Sequence, residues 1–127
     1  MSHRTLVAYY SLTGNTRRVA RAMAQALGAE ELDLQPVRSV PKGFLRFLVG
    51  GRAAMRGQSW PLQPHTIDTA AYDLVFVGGP NWGGSLAPPI RQFLSSAPLG
   101  GQVALFATAS GGEADKVLMQ ARALLTA

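Results

Sequence analysis

Apolar and polar residues fall into blocks along the chain, and the period of the pattern changes from block to block. Leu6-Val7-Ala8-Tyr9-Tyr10 is an unbroken apolar run. Its length and lack of polar interruption predict a parallel strand, Thr5 to Tyr10, buried on both faces. Val19, Ala20, Met23, Ala24 and Leu27 then recur at helical spacing, with Arg17, Arg18, Arg21 and Gln25 on the other side. That is an amphipathic helix, and Gly28 suits its C-terminal cap. Glu30 to Leu34 reads as a short second strand at a sheet edge. Pro36, Pro41, Pro61 and Pro64 bracket an irregular stretch. Within it the spacing of Phe44, Phe47 and Leu48, interrupted by Gly50-Gly51, predicts one or two short helices, the second from Arg52 to Gly57. Leu74 to Gly78 is apolar throughout and reads as a central third strand. Pro88-Pro89 suits a helix start, with Ile90, Phe93 and Leu94 facing inward. Val103 to Ala107 is a fourth strand. The last helix carries Val117, Leu118, Ala121, Leu124 and Leu125 on one face.

Strands alternating with helices imply an α/β fold of three layers, a doubly wound parallel sheet between helices. Its 127 residues form one domain, large enough to bury a core. In this architecture ligands bind beyond the carboxyl ends of the strands, where the strand order reverses, here between strands one and three. Three loops leave such ends: Ser11 to Thr16, Pro80 to Gly84, and Thr108-Ala109-Ser110-Gly111-Gly112.

The first loop points backbone N–H groups and the positive end of a helix dipole at one spot, which suits a phosphate. Ser11, Thr13, Asn15 and Thr16 add side-chain donors, Leu12 lies among them, and Gly14 lets the backbone come close. The same residue types also make ordinary helix N-caps with no ligand. Neither G-x-G-x-x-G nor G-x-x-x-x-G-K-[ST] is present, so neither the dinucleotide fingerprint nor a nucleotide-triphosphate P-loop is available. A phospho-aspartate switch would want acidic residues after the first strand, where Tyr9, Tyr10 and Ser11 stand. His3 and His65 are far apart and lack clustered carboxylates, which argues against a metal site. Glu113 and Asp115 suit the start of the last helix better than acid–base work. No side chain stands out as a catalytic group.

Composition narrows the classes further. Hydrophobic content of 47% and charged content of 15% describe a globular chain. There is no cysteine, hence no disulfide and no thiol chemistry. No basic segment leads into an apolar one at the N-terminus, and no apolar run reaches the length of a membrane span. A cytoplasmic protein without a membrane span is the expectation. The net charge is +5. All of the excess lies between Gln35 and Thr66, in Arg38, Lys42, Arg46, Arg52 and Arg56, with no acidic residue among them. This is either a solvated face or a docking patch for an acidic partner or a phosphorylated cosubstrate. Nucleic acid is disfavoured, because no binding motif accompanies the charge.

Ser11-Leu12-Thr13-Gly14-Asn15-Thr16 resembles the flavodoxin phosphate loop, [ST]-x-T-G-N-T. Tyr72-Asp73-Leu74-Val75-Phe76-Val77-Gly78-Gly79-Pro80-Asn81-Trp82-Gly83-Gly84 resembles the third strand and flavin loop of the same family, which often reads Y-D-x-(apolar)-G-x-P-x-W. The two motifs come in the family's order and separation, and the resemblance covers nearly the whole chain. It implies a flavodoxin-like fold with FMN as cofactor, the phosphate on the first loop and the ring between the second and third. Trp82 is then the ring that stacks on the isoalloxazine, against the alternative of a core or interface aromatic. The resemblance also implies that Gly83 and Gly84 let a peptide unit reorient when flavin N5 gains a proton, and that Ala109, Ser110, Gly111 and Gly112 line the flavin rim.

Three functions follow from that resemblance. The favoured one is an electron carrier between redox partner proteins. The second is a flavin enzyme reducing a quinone or similar acceptor with NAD(P)H, and the third a flavin-free interaction domain. The chain departs from the long-studied flavodoxins in two ways. Its third loop holds no aromatic to cover the second flavin face, and its charge is basic where theirs is acidic. The flavodoxin sheet has five strands in the order 2-1-3-4-5, whereas this pattern counts four. The fifth is missing, and Val103 to Ala107 becomes an apolar edge. Such an edge invites pairing, so a homodimer through the fourth strand or last helix is expected, or a natural chain continuing beyond Ala127.

Overall fold

Strand β1 (Thr5–Tyr9) lies at the middle of a parallel sheet, with β2 (Glu30–Asp33) on one side and β3 (Leu74–Trp82) on the other. In this computed structural model, residues 4–11, 14–37, 60–82, 85–108 and 115–126 are described. β3 pairs on its far side with β5 (Gln102–Thr108), also parallel, giving the order β2-β1-β3-β5. A two-residue strand, β4 (Ser85–Leu86), turns back antiparallel onto Asn81 and Trp82. Helices α1 (Asn15–Leu27), α2 (Pro88–Ser96) and α3 (Asp115–Thr126) cover the sheet.

The strand period of two sorts side chains into two cores. Val7 and Tyr9 face α1, where Ala20 and Ala24 pack down onto them together with Phe76 and Phe106. Leu6, Ala8, Tyr10, Val75, Val77 and Leu105 face the opposite way, onto Ile90, Phe93 and Leu94 of α2 and Ala121 of α3. Both faces of β1 are therefore buried, as its continuous apolar run predicts.

Helix α1 begins at Gly14, whose φ of 96° is left-handed, and ends at Gly28, with φ 63° and its N–H donated to the Ala24 carbonyl. Its buried stripe is Thr16, Ala20 and Ala24. Val19 and Leu27, expected on the inner face, are 41% and 52% exposed. The helix sits close enough to the sheet that the alanines fill the contact. α2 starts on Pro88-Pro89, as expected.

Two segments differ from the pattern-based reading. β3 does not stop at Gly78 but runs on to Trp82. Gly79 and Pro80 pair with Ala107 and Thr108 of β5, and the last two residues pair with β4. Pro80 is tolerated because β1 pairs with β3 only as far as Gly78. Two residues beyond Gly78, Pro80 directs its missing N–H to the side that β1 has already left. Secondly, the Pro-bracketed stretch is drawn together at its base. Val37 N–H donates to the Pro61 carbonyl and Gln63 N–H to Gln35, with a bridge between Pro36 and Leu62. The short helices expected at 44–57, and all five basic residues of that stretch, lie outside the described residues.

The order is that of the expected sheet, with β5 in fourth place. On its outer side β5 has no partner strand among the described residues.

Candidate functional site at the carboxyl ends of the strands

The carboxyl ends of β1, β3 and β5 meet at one edge of the sheet. Tyr10 N–H continues the β1 ladder to the Gly78 carbonyl at 3.1 Å, which sets the height at which the first loop departs. Ser11 then accepts a hydrogen bond from the Gly14 N–H on its Oγ, at 3.0 Å. The bond shapes the loop and leaves the Ser11 hydroxyl proton free to donate elsewhere. Gly14 is the N-cap of α1, and no side chain caps the helix. No acidic residue stands in the first turn. A side chain built at Gly14 would meet no described residue within 4 Å, so among the described residues open space adjoins the uncapped helix start. Uncapped N–H groups beside open space are what an anion needs.

Arg17, in the first turn of α1, is held by an acidic residue. Arg17 Nη2 donates to Asp33 Oδ2 at 2.9 Å, at the end of β2, and Gln35 Nε2 donates to the other oxygen at 2.8 Å. The Asp33 hydrogen bond and charge push the Arg17 guanidinium pKa further above its ordinary value. Arg18 is exposed. Thr16 is buried, and its hydroxyl lies 2.7 Å from that of Thr108 at the end of β5. This contact ties the first loop to the third across the sheet edge.

Strand β4 folds back antiparallel on the end of β3, with Asn81 paired to Leu86 and Trp82 to Ser85. The Leu86 N–H donates to Gln120 Oε1 on α3 at 3.0 Å, and Arg91 Nη2 donates to the same oxygen at 3.1 Å. One glutamine on the last helix therefore holds β4. Beneath these strand ends the void lined by Val77, Gly79, Pro80, Leu86 and Leu105 measures about 10 Å³, no more than one water requires.

Of the residues expected from sequence to form the site, the structure brings Ser11, Gly14, Asn15 and Thr16 together with Pro80 and the backbone of Asn81 and Trp82. Leu12, Thr13, Gly83, Gly84, Ala109, Ser110, Gly111 and Gly112 lie outside the described residues. Thr108 and Gln120 were not singled out as site residues. Thr108 begins the third glycine-rich loop, a usable signal, but Gln120 is 34 residues from Leu86 and nothing local marks it.

Other polar clusters lie elsewhere. At the amino ends of the strands Arg4 sits 4.5 Å from the centre of the Tyr72 ring and 3.5 Å from Glu30, while Tyr72 donates its hydroxyl proton to Glu30. That hydrogen bond, more than the Arg4 charge, draws the Glu30 carboxyl below its usual pKa, and burial raises that of Tyr72. Among the described residues no group of three His, Cys, Asp or Glu side chains gathers to hold a metal. No described helix is long and apolar enough to cross a membrane.

The family model described as flavodoxin matches residues 4–124. The chain belongs to the flavodoxin family. Comparison with curated proteins gives no match. Solved structures resemble this flavodoxin along almost its whole length. One from Bacteroides uniformis ATCC 8492, provisionally described as a flavoprotein, has a TM-score of 0.79 at 26% identity, covering 97% of this chain and 83% of its own. A Lactobacillus acidophilus NCFM flavoprotein in complex with FMN has a TM-score of 0.79 at 22% identity, covering 98% of this chain and 87% of its own. A WrbA-like flavodoxin from Agrobacterium tumefaciens has a TM-score of 0.61 at 18% identity, covering 98% and 73%. These last two show likeness of fold. This flavodoxin shares with them the doubly wound sheet whose strand ends have just been described.

Proposed function

We propose that the chain binds FMN above the ends of β1, β3 and β5 and passes electrons between protein partners. The observation that carries this reading is the uncapped start of α1, beside space that no described residue fills, meeting the ends of β3 and β5 at the switch point of the sheet. A phosphate fits that start, since the donors there are backbone N–H groups and hydroxyls. Ser11, Leu12, Thr13, Gly14, Asn15 and Thr16 would hold it. Pro80, Asn81, Trp82, Gly83 and Gly84 would flank one side of the ring, and Ala109, Ser110, Gly111 and Gly112 its rim. Bound there, the flavin supplies the redox chemistry. The protein's own part is to bind, orient and tune. Gln120 and Arg91 hold β4 on one side, and Thr16 and Thr108 join the loops on the other. No side chain has to act as an acid or base.

An absorbance spectrum of the purified protein, before and after titration with FMN, tests the reading. One FMN per chain, bound more tightly than riboflavin, is the expected result. Absence of any flavin binding overturns it in favour of an interaction domain.

The lack of an aromatic in Ala109 to Gly112 supports a second reading, in which a small quinone or a nicotinamide stacks on an open flavin face. Repeated reduction of bound flavin by NADH or NADPH, with reoxidation by a quinone, would establish that enzyme. Reduction by a reductase protein alone would establish the carrier. The basic stretch from Arg38 to Arg56 supports an acidic surface as the docking partner.

A further inference from the structure

We infer that Thr108 is a positioning residue of the phosphate subsite, which donates to Thr16 and thereby turns the single Thr16 hydroxyl proton toward the anion. The inference rests on the FMN reading above. Thr16 lies in the first turn of α1 and Thr108 closes β5, 92 positions away, with their hydroxyl oxygens 2.7 Å apart. Thr16 is 2% exposed as a whole residue, and its bond with Thr108 is part-buried, so solvent competes little for that bond.

Each hydroxyl has one proton and two lone pairs, and only one of the two can donate into their shared bond. In the unliganded protein either direction closes the pair. A bound phosphate removes that freedom. Its ionised oxygens accept, so a Thr16 proton given to phosphate is no longer available to Thr108. Thr16 then keeps its short contact with Thr108 only by accepting from it. The resulting order is Thr108 to Thr16 to phosphate, with each O–H dipole pointing its positive end at the anion. Aligned hydrogen bonds of this kind polarise one another. Thr108 also holds the Thr16 side chain in one orientation, which lowers the ordering cost of binding. Thr108 therefore favours the phosphorylated flavin without touching its ring.

Four proteins test this: the natural chain and its Thr108→Val, Thr108→Ser and Thr16→Val variants. Each is titrated with FMN and with riboflavin, which lacks the phosphate. Valine keeps the shape of threonine and suits a strand, so the fold should persist. Thr108→Val should raise the FMN dissociation constant about three- to tenfold, the worth of one net hydrogen bond. Riboflavin binding should stay unchanged, and Thr108→Ser should behave like the natural chain. In a Thr16→Val background, Thr108→Val should add nothing, because the relay is already cut. An FMN affinity untouched by Thr108→Val overturns the inference. So does equal weakening of FMN and riboflavin, or full additivity of the two valine changes. A natural chain that binds FMN no better than riboflavin removes the phosphate subsite itself, and the FMN reading fails with it.

Discussion

Gly78 is held to glycine by packing rather than by backbone conformation. A Cβ there would collide with the Phe106 ring, which crosses the β3 backbone from β5. The ring fills the space a side chain would need on the α1 face. Gly78→Ala should therefore cost about 1–3 kcal/mol of stability through overpacking. Combining it with Phe106→Leu should recover part of that loss, and urea unfolding of the two single variants and the double variant measures the coupling. Tyr10 makes the second prediction at this scale. Burial pushes its phenol up to about 12 from 10. Below pH 10 both folded and unfolded chains keep the proton, and stability is unaffected. Between 10 and 12 the unfolded chain loses its proton first, so stability falls as pH rises, by about 2–3 kcal/mol in all. Denaturant melts across that range should show the fall, and Tyr10→Phe should make it shallower.

At the scale of elements, β3 is where local pattern and tertiary pairing part company. The pattern reading ends the strand at Gly78, where the run from Leu74 that is apolar throughout ends. The strand continues because β5 remains beside it as far as Thr108, and because β4 folds back onto its last two residues. Trp82 is thus placed at the carboxyl end of β3. Trp60 instead lies at the neck of the basic stretch, its backbone N–H 3.4 Å from the Pro88 carbonyl. The two residues stand at different places along the fold. FMN should quench the fluorescence of a Trp60→Phe protein, which retains Trp82, more strongly than that of a Trp82→Phe protein. Equal quenching in both would remove Trp82 from the stacking role. Helix α1 shows the same contest between levels. Its apolar residues span Val19 to Leu27, but the sheet accepts Thr16, Ala20 and Ala24, since small side chains let the helix come close.

Across the whole molecule, charge and edges set how the protein meets others. Seven basic and seven acidic residues balance outside the stretch from Gln35 to Thr66, so the excess of five is local. Binding to an acidic partner through that stretch should weaken as salt rises, since exposed charges are screened within about 10 Å at 0.1 M. β5 is apolar along Val103 to Ala107, and no described strand covers its outer side. A second copy pairing there is the expected occupant. Light scattering at micromolar concentration should report a dimer, and Ala104→Lys should shift it toward monomer. A monomer that stays soluble across that range defeats the expectation.

The sequence alone determined the order and kind of the three described helices and of β1, β2, β3 and β5, because each carries its own period and its own breakers. Leu6 to Tyr10, Leu74 to Val77 and Val103 to Ala107 are apolar runs bounded by turns, and Gly28 and Pro88-Pro89 mark helix ends where the helices do end and begin. It also determined the edge of the sheet at which the candidate site lies, since the three loops follow three such runs. Tertiary structure decided what crosses between elements. The Thr16–Thr108 hydroxyl pair, the Gln120 clasp on Leu86 and Arg91, the pairing of Arg17 with Asp33, and the Phe106 ring over Gly78 all join residues far apart in the chain. A hydrophobic pattern records which face of a segment is buried. It does not record which distant atom meets that face, because that depends on register between strands and on how closely each helix approaches the sheet.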